Sequence, residues 1–227
     1  MNKNTTFRVI PVKTGTQAFK IMFFLISLQA YAKPYTLMLD PAGDARSTGR
    51  LIDDVFERSL TLSCAQQLKQ ELEENIPGLQ VVVTRAAGET IEPLQNAHFA
   101  NRLGVDFFVR IQVFQEHAAR DTISIYTVSW GDECAVRTGD MSFVSYDKAH
   151  LKNFDRTKTL ASGLHAAYTK LVPGSCIGVF AIPCTPLLGI TAPALCIEVG
   201  LTVKNSWPLH IKNMNIALTE LIRTARV

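Results

Sequence analysis

Apolar positions along the chain change their spacing several times, and each change marks a new element. Tyr35 to Leu39 is a short apolar run ending at Asp40-Pro41, which predicts a strand entering a loop. Phe56, Leu60, Cys64, Leu68 and Leu72 then recur every four residues, the spacing of one helix face, with Asp53 or Asp54 as the candidate cap. Pro77-Gly78 stops that helix, and the β-branched run Leu79 to Thr84 predicts a second strand. Pro93 to Leu103 predicts a shorter helix, with Pro93 in the first turn, where a missing N–H does no harm. Asp106 to Phe114 and Thr122 to Trp130 read as strands, and His150 to Leu171 as a helix. Residues 131–150 are mixed and polar, an excursion from the core, and residues 172–186, dense in Pro, Gly and Cys, read as a loop. Leu187 to Ile190 and Ala194 to Val199 read as short strands before a closing amphipathic helix, Pro208 to Arg223.

Strands alternating with helices predict an α/β single domain, a mainly parallel twisted sheet of about six strands flanked by helices. In such sheets the chemistry lies beyond the carboxyl ends of the strands. That directs attention to Asp40 onward, to Arg110 through Glu116, and to Glu198 onward.

Composition changes the picture at the N-terminus. The chain has 227 residues, 47% hydrophobic and 19% charged, which suits one domain with a proper core and excludes a polyelectrolyte. Its formal charge of +3 depends on Lys3, Arg8, Lys13 and Lys20, which lie in a segment without a single acid. The apolar run Ile21 to Leu28 and Ala30-Tyr31-Ala32 follow. A basic start, a short apolar stretch and a small-x-small site are the marks of a secretory signal peptide over residues 1–32, with the domain occupying 33–227. The apolar run is well short of the ~20 residues that span a bilayer, so no stable membrane span is expected after cleavage. Cleavage after Ala32 leaves 23 − 4 = 19 basic against 20 acidic residues, a balance that gives no nucleic-acid partner a footprint. The expected location is the periplasm or the extracellular space.

The five cysteines, Cys64, Cys134, Cys176, Cys184 and Cys196, fit no zinc-ribbon spacing. Cys176 and Cys184 bracket the predicted loop and are candidates to close it as a disulfide, while Cys64 and Cys196 fall in apolar segments that suit buried thiols.

Five stretches in order carry a family resemblance. Leu37-Met38-Leu39-Asp40-Pro41 with Gly43 is similar to the L-D-P-G-H-G-G opening of zinc-dependent N-acetylmuramoyl-L-alanine amidases, and Phe56-Glu57-Arg58-Ser59-Leu60-Thr61-Leu62 to their N-E-K-x-L-T-L helix start. Val81-Val82-Val83-Thr84-Arg85 resembles V-x-L-T-R. Ala100-Asn101 with Asp106 through Gln112 resembles A-N-x-x-x-A-D-x-F-I-S-I-H, and Pro193 through Gly200 resembles P-A-V-L-V-E-x-G-F. The fold this resemblance implies is of the amidase and phosphorylase-hydrolase type. Its chemistry is hydrolysis of the amide between muramic acid and the first alanine of the peptidoglycan stem. There a His, a Glu and a second His hold zinc, which acidifies a water, and a further Glu moves protons.

Carried over residue by residue, the resemblance places Glu57 at the carboxylate ligand and Glu198 at the catalytic Glu. Gly43 and Gln112 stand at the two His positions and are not ligands, so no zinc or other cofactor is expected to be retained. Asn96 replaces the family's arginine before A-N, and Arg110 replaces a small Ser. Asp40 and Arg110 are candidate binding residues at the strand ends. His98 is expected to face solvent, His117 lies too far past Gln112 to take its place, His150, His165 and His210 are expected in solvated or capping positions, and Asp44 is the nearest substitute donor beside Glu57. Restoring Gly43→His with Gln112→His is expected to create micromolar zinc binding if Glu57 lies between them.

Three readings follow. The first is an amidase-like envelope protein without the zinc hydrolase activity, binding peptidoglycan or a cell-wall protein partner. The second is an active amidase with an atypical metal site. The third is a structural or interaction protein of the envelope.

Overall fold

In the chain's structure, a computed structural model, residues 33–129 and 145–226 are described. The expected signal peptide, most of the polar excursion and Cys134 lie outside those residues. Eight strands and four α-helices appear among the described residues. The strands are β1 (Tyr35–Pro41), β2 (Leu51–Ile52), β3 (Val55–Phe56), β4 (Leu79–Val83), β5 (Phe107–Gln115), β6 (Thr122–Val128), β7 (Cys176–Ile182) and β8 (Ala194–Leu201). The helices are α1 (Glu57–Asn75), α2 (Pro93–Leu103), α3 (Phe154–Leu171) and α4 (Trp207–Ala225).

Six strands form one sheet in the order β4-β1-β5-β8-β6-β7. Parallel pairing joins β4, β1, β5 and β8, while β6 runs antiparallel to β8 and parallel to β7. The two faces follow the period of a strand. Leu37, Leu39, Phe107, Val109, Ile111, Leu195, Ile197 and Val199 point to one side, where α1, α3 and α4 cover them. Met38, Phe108, Ala194 and Cys196 point to the other, covered by α2 and by the apolar Leu187, Leu188 and Ile190. On that second face, Asp40, Arg110, Gln112 and Glu198 continue the same alternation toward the carboxyl ends of the strands.

Several local expectations are corrected. Helix α1 begins at Glu57 without a side-chain cap, because Asp53 and Asp54 form the turn of the small β2–β3 hairpin. Asp53 adopts φ 51°, a left-handed conformation that a short polar residue tolerates in a two-residue turn. Phe56, assigned from the four-residue spacing to the buried helix face, is therefore 43% exposed. The stretch read as a loop contains β7, an edge strand whose Val179 and Phe180 remain exposed. Leu187 to Ile190 is the end of a 3₁₀ helix followed by a turn rather than a strand. Helix α2 matches its expected bounds, with a Glu92–Gln95 capping box and a left-handed Gly104 closing it. No helix of the described residues is long and apolar enough to cross a membrane.

One polar clamp holds the edge of this layer. Asp121 Oδ1 accepts from the Thr202 N–H and hydroxyl, both at 2.7 Å, and Oδ2 meets His210 Nε2 at 2.8 Å. His210 and His150 are buried, against the expectation of solvated histidines. Burial pushes the Asp121 carboxyl up, but the Thr202 and His210 hydrogen bonds outweigh it and hold it below its ordinary value. A depressed carboxylate contributes stability that is complete above its unfolded pKa, about 4, and is lost as pH falls through the lower native value. Urea unfolding measured between about pH 5 and pH 2 is expected to show a shallower loss in Asp121→Asn than in the wild type. An identical pH slope in the two proteins would rule the clamp out as a source of acid sensitivity.

Candidate functional site

The carboxyl ends of β1, β5 and β8 meet the start of α1, and four sequence-predicted residues gather there. In register, Asp40 lies beside Arg110, Arg110 beside Cys196, and Gln112 beside Glu198. The result is two polar rows across the sheet, and they do different things.

The outer row centres on Glu198, which is 9% exposed. Its Oε1 accepts from the Arg50 guanidinium at 2.6 Å and its Oε2 from the Tyr126 hydroxyl at 2.8 Å. Burial works against the charge on Arg50, but the ion pair with Glu198, and Glu57 and Tyr126 behind it, raise its pKa above the ordinary arginine value. The guanidinium also lies over the Phe114 ring, 5.3 Å from its centroid. Arg50, Phe114, Gln115, His117 and Glu198 line a cavity of about 400 Å³.

Glu57 is 5% exposed at the first position of α1. Its Oε1 accepts the Val113 N–H at 3.0 Å and its Oε2 the Arg50 N–H at 3.1 Å. Gly49 makes the second bond possible. With φ 75° it brings the chain so close that a Cβ there would sit 2.6 Å from Glu57 Oε2. Both carboxylate oxygens thus serve to close the β2–β3 region onto β5.

The inner row centres on Asp40, whose Oδ1 accepts from the Thr84 hydroxyl at 2.8 Å and from Asn96 Nδ2 at 3.0 Å. Its Oδ2 is ion-paired to the Arg110 guanidinium. Burial opposes the Arg110 charge, but Asp40 more than offsets it and raises the pKa of Arg110. Asn96 and Arg110 thus meet on one carboxylate, the first as a neutral donor and the second as a cation from the neighbouring strand. Asp40, Arg46, Arg85, Asn96 and Arg110 line a polar cavity of about 500 Å³.

Gly43 is not an empty imidazole position. Its φ is 73°, and a Cβ there would lie 2.7 Å from Arg58 Cβ and 3.0 Å from Arg58 Cα. The loop is pressed down because Arg58 donates to the Asp44 and Ala45 carbonyls and Arg85 to the Ala42 carbonyl. Asp44 turns back on its own loop, accepting the Arg46 and Ser47 N–H groups at 2.8 Å and 2.5 Å, and does not join Glu57. His98 and His117 are exposed.

These residues do not fit a zinc ion. Of the three ligand positions only Glu57 carries a suitable donor, and its two oxygens are taken by backbone N–H groups. The Arg50 cation occupies the space beside both carboxylates. No group of three His, Cys, Asp or Glu among the described residues is placed to hold a metal. Sequence reasoning missed Arg50 and Tyr126, which lie in no motif. The one signal was Gly49-Arg50, a glycine next to a cation just ahead of the Glu57 helix.

A family model described as N-acetylmuramoyl-L-alanine amidase matches residues 37–207. No curated protein matches the chain. Among solved structures, the catalytic domain of CwlV, an N-acetylmuramoyl-L-alanine amidase from Bacillus (Paenibacillus) polymyxa var. colistinus, is 17% identical with a TM-score of 0.59, over 83% of this chain and 98% of that one. An N-acetylmuramoyl-L-alanine amidase from Clostridium difficile 630 is 19% identical with a TM-score of 0.61, over 85% of this chain and 97% of that one. The CwlD amidase from Clostridioides difficile, solved in complex with the GerS lipoprotein, is 13% identical with a TM-score of 0.60, over 84% and 97%. At such identities the structural likeness speaks for the fold. The family model spans well over half of the 227 residues, from the first strand of the sheet to the start of its last helix. The chain belongs to the N-acetylmuramoyl-L-alanine amidase family.

Proposed function

We propose that this amidase-like cell-wall protein is exported by its N-terminal segment and acts without the family's zinc hydrolase chemistry. It binds peptidoglycan, or a protein partner in the envelope, through the cleft over β5 and β8. The observation that carries this reading is the Arg50–Glu198 ion pair at 2.6 Å, together with a Glu57 whose oxygens both accept backbone N–H groups. A carboxylate whose two oxygens already accept from Arg50 and Tyr126 is poorly placed to pass protons to and from a substrate. The cleft keeps features that suit a glycan–peptide ligand: the Phe114 ring, the Gln115 amide, the imidazole of His117 and charges of both signs. That the CwlD amidase was solved in complex with a lipoprotein supports a protein partner as the alternative to peptidoglycan.

The mature chain, dialysed against zinc and then against metal-free buffer, is expected to retain far less than one zinc per chain by elemental analysis. It is expected to leave no clearing in a cell-wall zymogram, and to co-sediment with insoluble peptidoglycan or to capture an envelope protein. Stoichiometric zinc together with clearing would overturn the reading. So would a chain that binds neither wall nor envelope protein.

A further inference from the structure

The two edges of the six-stranded sheet are finished differently. At β4 the helix α1 takes the outward backbone groups of Val81. The Val81 N–H donates to Glu73 Oε1 at 2.7 Å, and Lys69 Nζ donates to the Val81 carbonyl. At β7 the register with β6 fixes which groups face outward. The Cys176 N–H donates to the Asp121 carbonyl at 3.2 Å, and the Ile182 carbonyl accepts the Ser129 N–H at 3.0 Å. The even-numbered residues of β7 therefore bond to β6. Ile177, Val179 and Ala181 turn their N–H and C=O groups away from the sheet, and among the described residues no side chain or strand takes them.

The other guards of a free edge are missing as well. The strand, Cys-Ile-Gly-Val-Phe-Ala-Ile, carries no charge and no proline, and its register with β6 runs one to one without a bulge. Val179, Phe180 and Ile182 are 42%, 48% and 37% exposed.

We propose that β7 is a dimerisation edge, pairing antiparallel with β7 of a second copy of this chain about a two-fold axis at Val179. Val179 is the middle residue of the strand. Such an axis sets it against the partner's Val179, and Ile177 against the partner's Ala181. These are the outward-facing residues, so every free N–H of one copy meets a free C=O of the other. Gly178 falls opposite the partner's Phe180. The Phe180 ring lies over Gly178 of its own chain, where a Cβ would sit 2.6 Å from it, and tilts against Tyr126 with 5.8 Å between centroids. Both rings and both glycines thus lie on one face beside the axis, the small residues leaving space for the large. A two-fold axis also sets like charges opposite each other, and an uncharged strand meets its own copy without that repulsion. A charged foreign segment finds no counter-charge in β7. The pairing uses nothing in the cleft over β5 and β8, so it stands apart from the proposed wall binding.

Sedimentation velocity of the purified chain at about 10–100 μM, the range of a modest interface, is expected to show a dimer. Val179→Lys places two ammonium groups at the axis, and Val179→Pro removes an outward N–H that an edge strand can spare. Both variants are expected to sediment as monomers with the wild-type circular dichroism spectrum. Leu209→Lys, at an exposed apolar position on α4, is expected to stay dimeric. Residue-resolved amide exchange of the wild type gives a second readout that needs no variant. Dilution to the monomer is expected to deprotect Ile177, Val179 and Ala181, while Gly178 and Phe180, bonded to β6, stay protected. A wild-type monomer throughout, a dimer that survives in Val179→Lys, or loss of the dimer in Leu209→Lys overturns the proposal. So does amide protection of Ile177, Val179 and Ala181 that ignores concentration. A benzophenone photo-crosslinker in place of Val179 is expected to join the chain to itself. A product with an envelope protein alone would assign the edge to another partner and overturn the proposal.

Discussion

Asp40→Ala is expected to destabilise the domain by about 3–5 kcal/mol, the cost of leaving a buried charge without its partner. The Asp40 and Arg110 side chains are 4% and 17% exposed, so Arg110 has little water to turn to when the carboxylate is gone. Two further donors lose their acceptor in the same substitution, the Thr84 hydroxyl and the Asn96 amide. Asp40→Asn should be nearly as damaging, since it keeps the shape but removes the charge and adds a donor facing a guanidinium. The double variant Asp40→Asn with Arg110→Gln is expected to recover part of the loss, because two neutral groups demand less of a dry site than one orphaned ion. Urea denaturation of the wild type, Asp40→Asn, Arg110→Gln and the double variant checks this as a cycle. A loss below about 1 kcal/mol for Asp40→Ala would mean that water reaches Arg110 freely, and the inner row would no longer count as buried.

Gly43→His is expected to cost about 3 kcal/mol and to bring no zinc with it. The left-handed φ of 73° accounts for about 1–2 kcal/mol once a Cβ is present. Contact with the Cβ and backbone of Arg58 at 2.7 and 3.0 Å accounts for a similar amount, because Arg58 sits on the first turn of α1 and has nowhere to retreat. Both costs arise at the Cβ, so Gly43→Ala should lose nearly as much. Gln112→His, on a half-buried strand position, should change stability little. This outcome is the opposite of the one the sequence resemblance predicts, in which restoring the two imidazoles rebuilds the metal site. The double variant still faces a Glu57 bonded to two N–H groups and a guanidinium on Glu198. Equilibrium unfolding and zinc titration of the single and double variants test both halves. Micromolar zinc binding by a stably folded double variant would refute the account of Glu57 as a structural brace.

The elements that could be read from the sequence are those whose signal is local. Helix α2 has its Pro93, its capping residues and its Gly104 within one short stretch, and it forms where expected. Strands β1, β4 and β5 are rich in apolar residues, as a largely buried parallel sheet requires, and their bounds shift by only a residue or two. β7 was hidden because Pro173, Gly174 and Pro183 flank it and its cysteines suggest a loop. Its partner is β6, a neighbour found only through the antiparallel placement of β6 against β8. The start of α1 was misplaced for a related reason: two aspartates that make good caps also make a good hairpin turn, and only the pairing of Leu51 with Phe56 decides between them.

The site divides along the same line. By itself the sequence determined the family and the placement of Asp40, Arg110, Gln112 and Glu198 at the strand ends and of Glu57 at the start of α1, since residue identity and order carry these. Tertiary structure alone decided what those side chains meet. Arg50 reaches Glu198 across 148 positions of sequence, Arg110 and Asn96 meet on Asp40, and the extended β7 holds Cys176 away from Cys184, the partner considered from the sequence. Ion pairs and hydrogen bonds between side chains act over a few ångströms in space and leave no periodicity or fixed spacing along the chain.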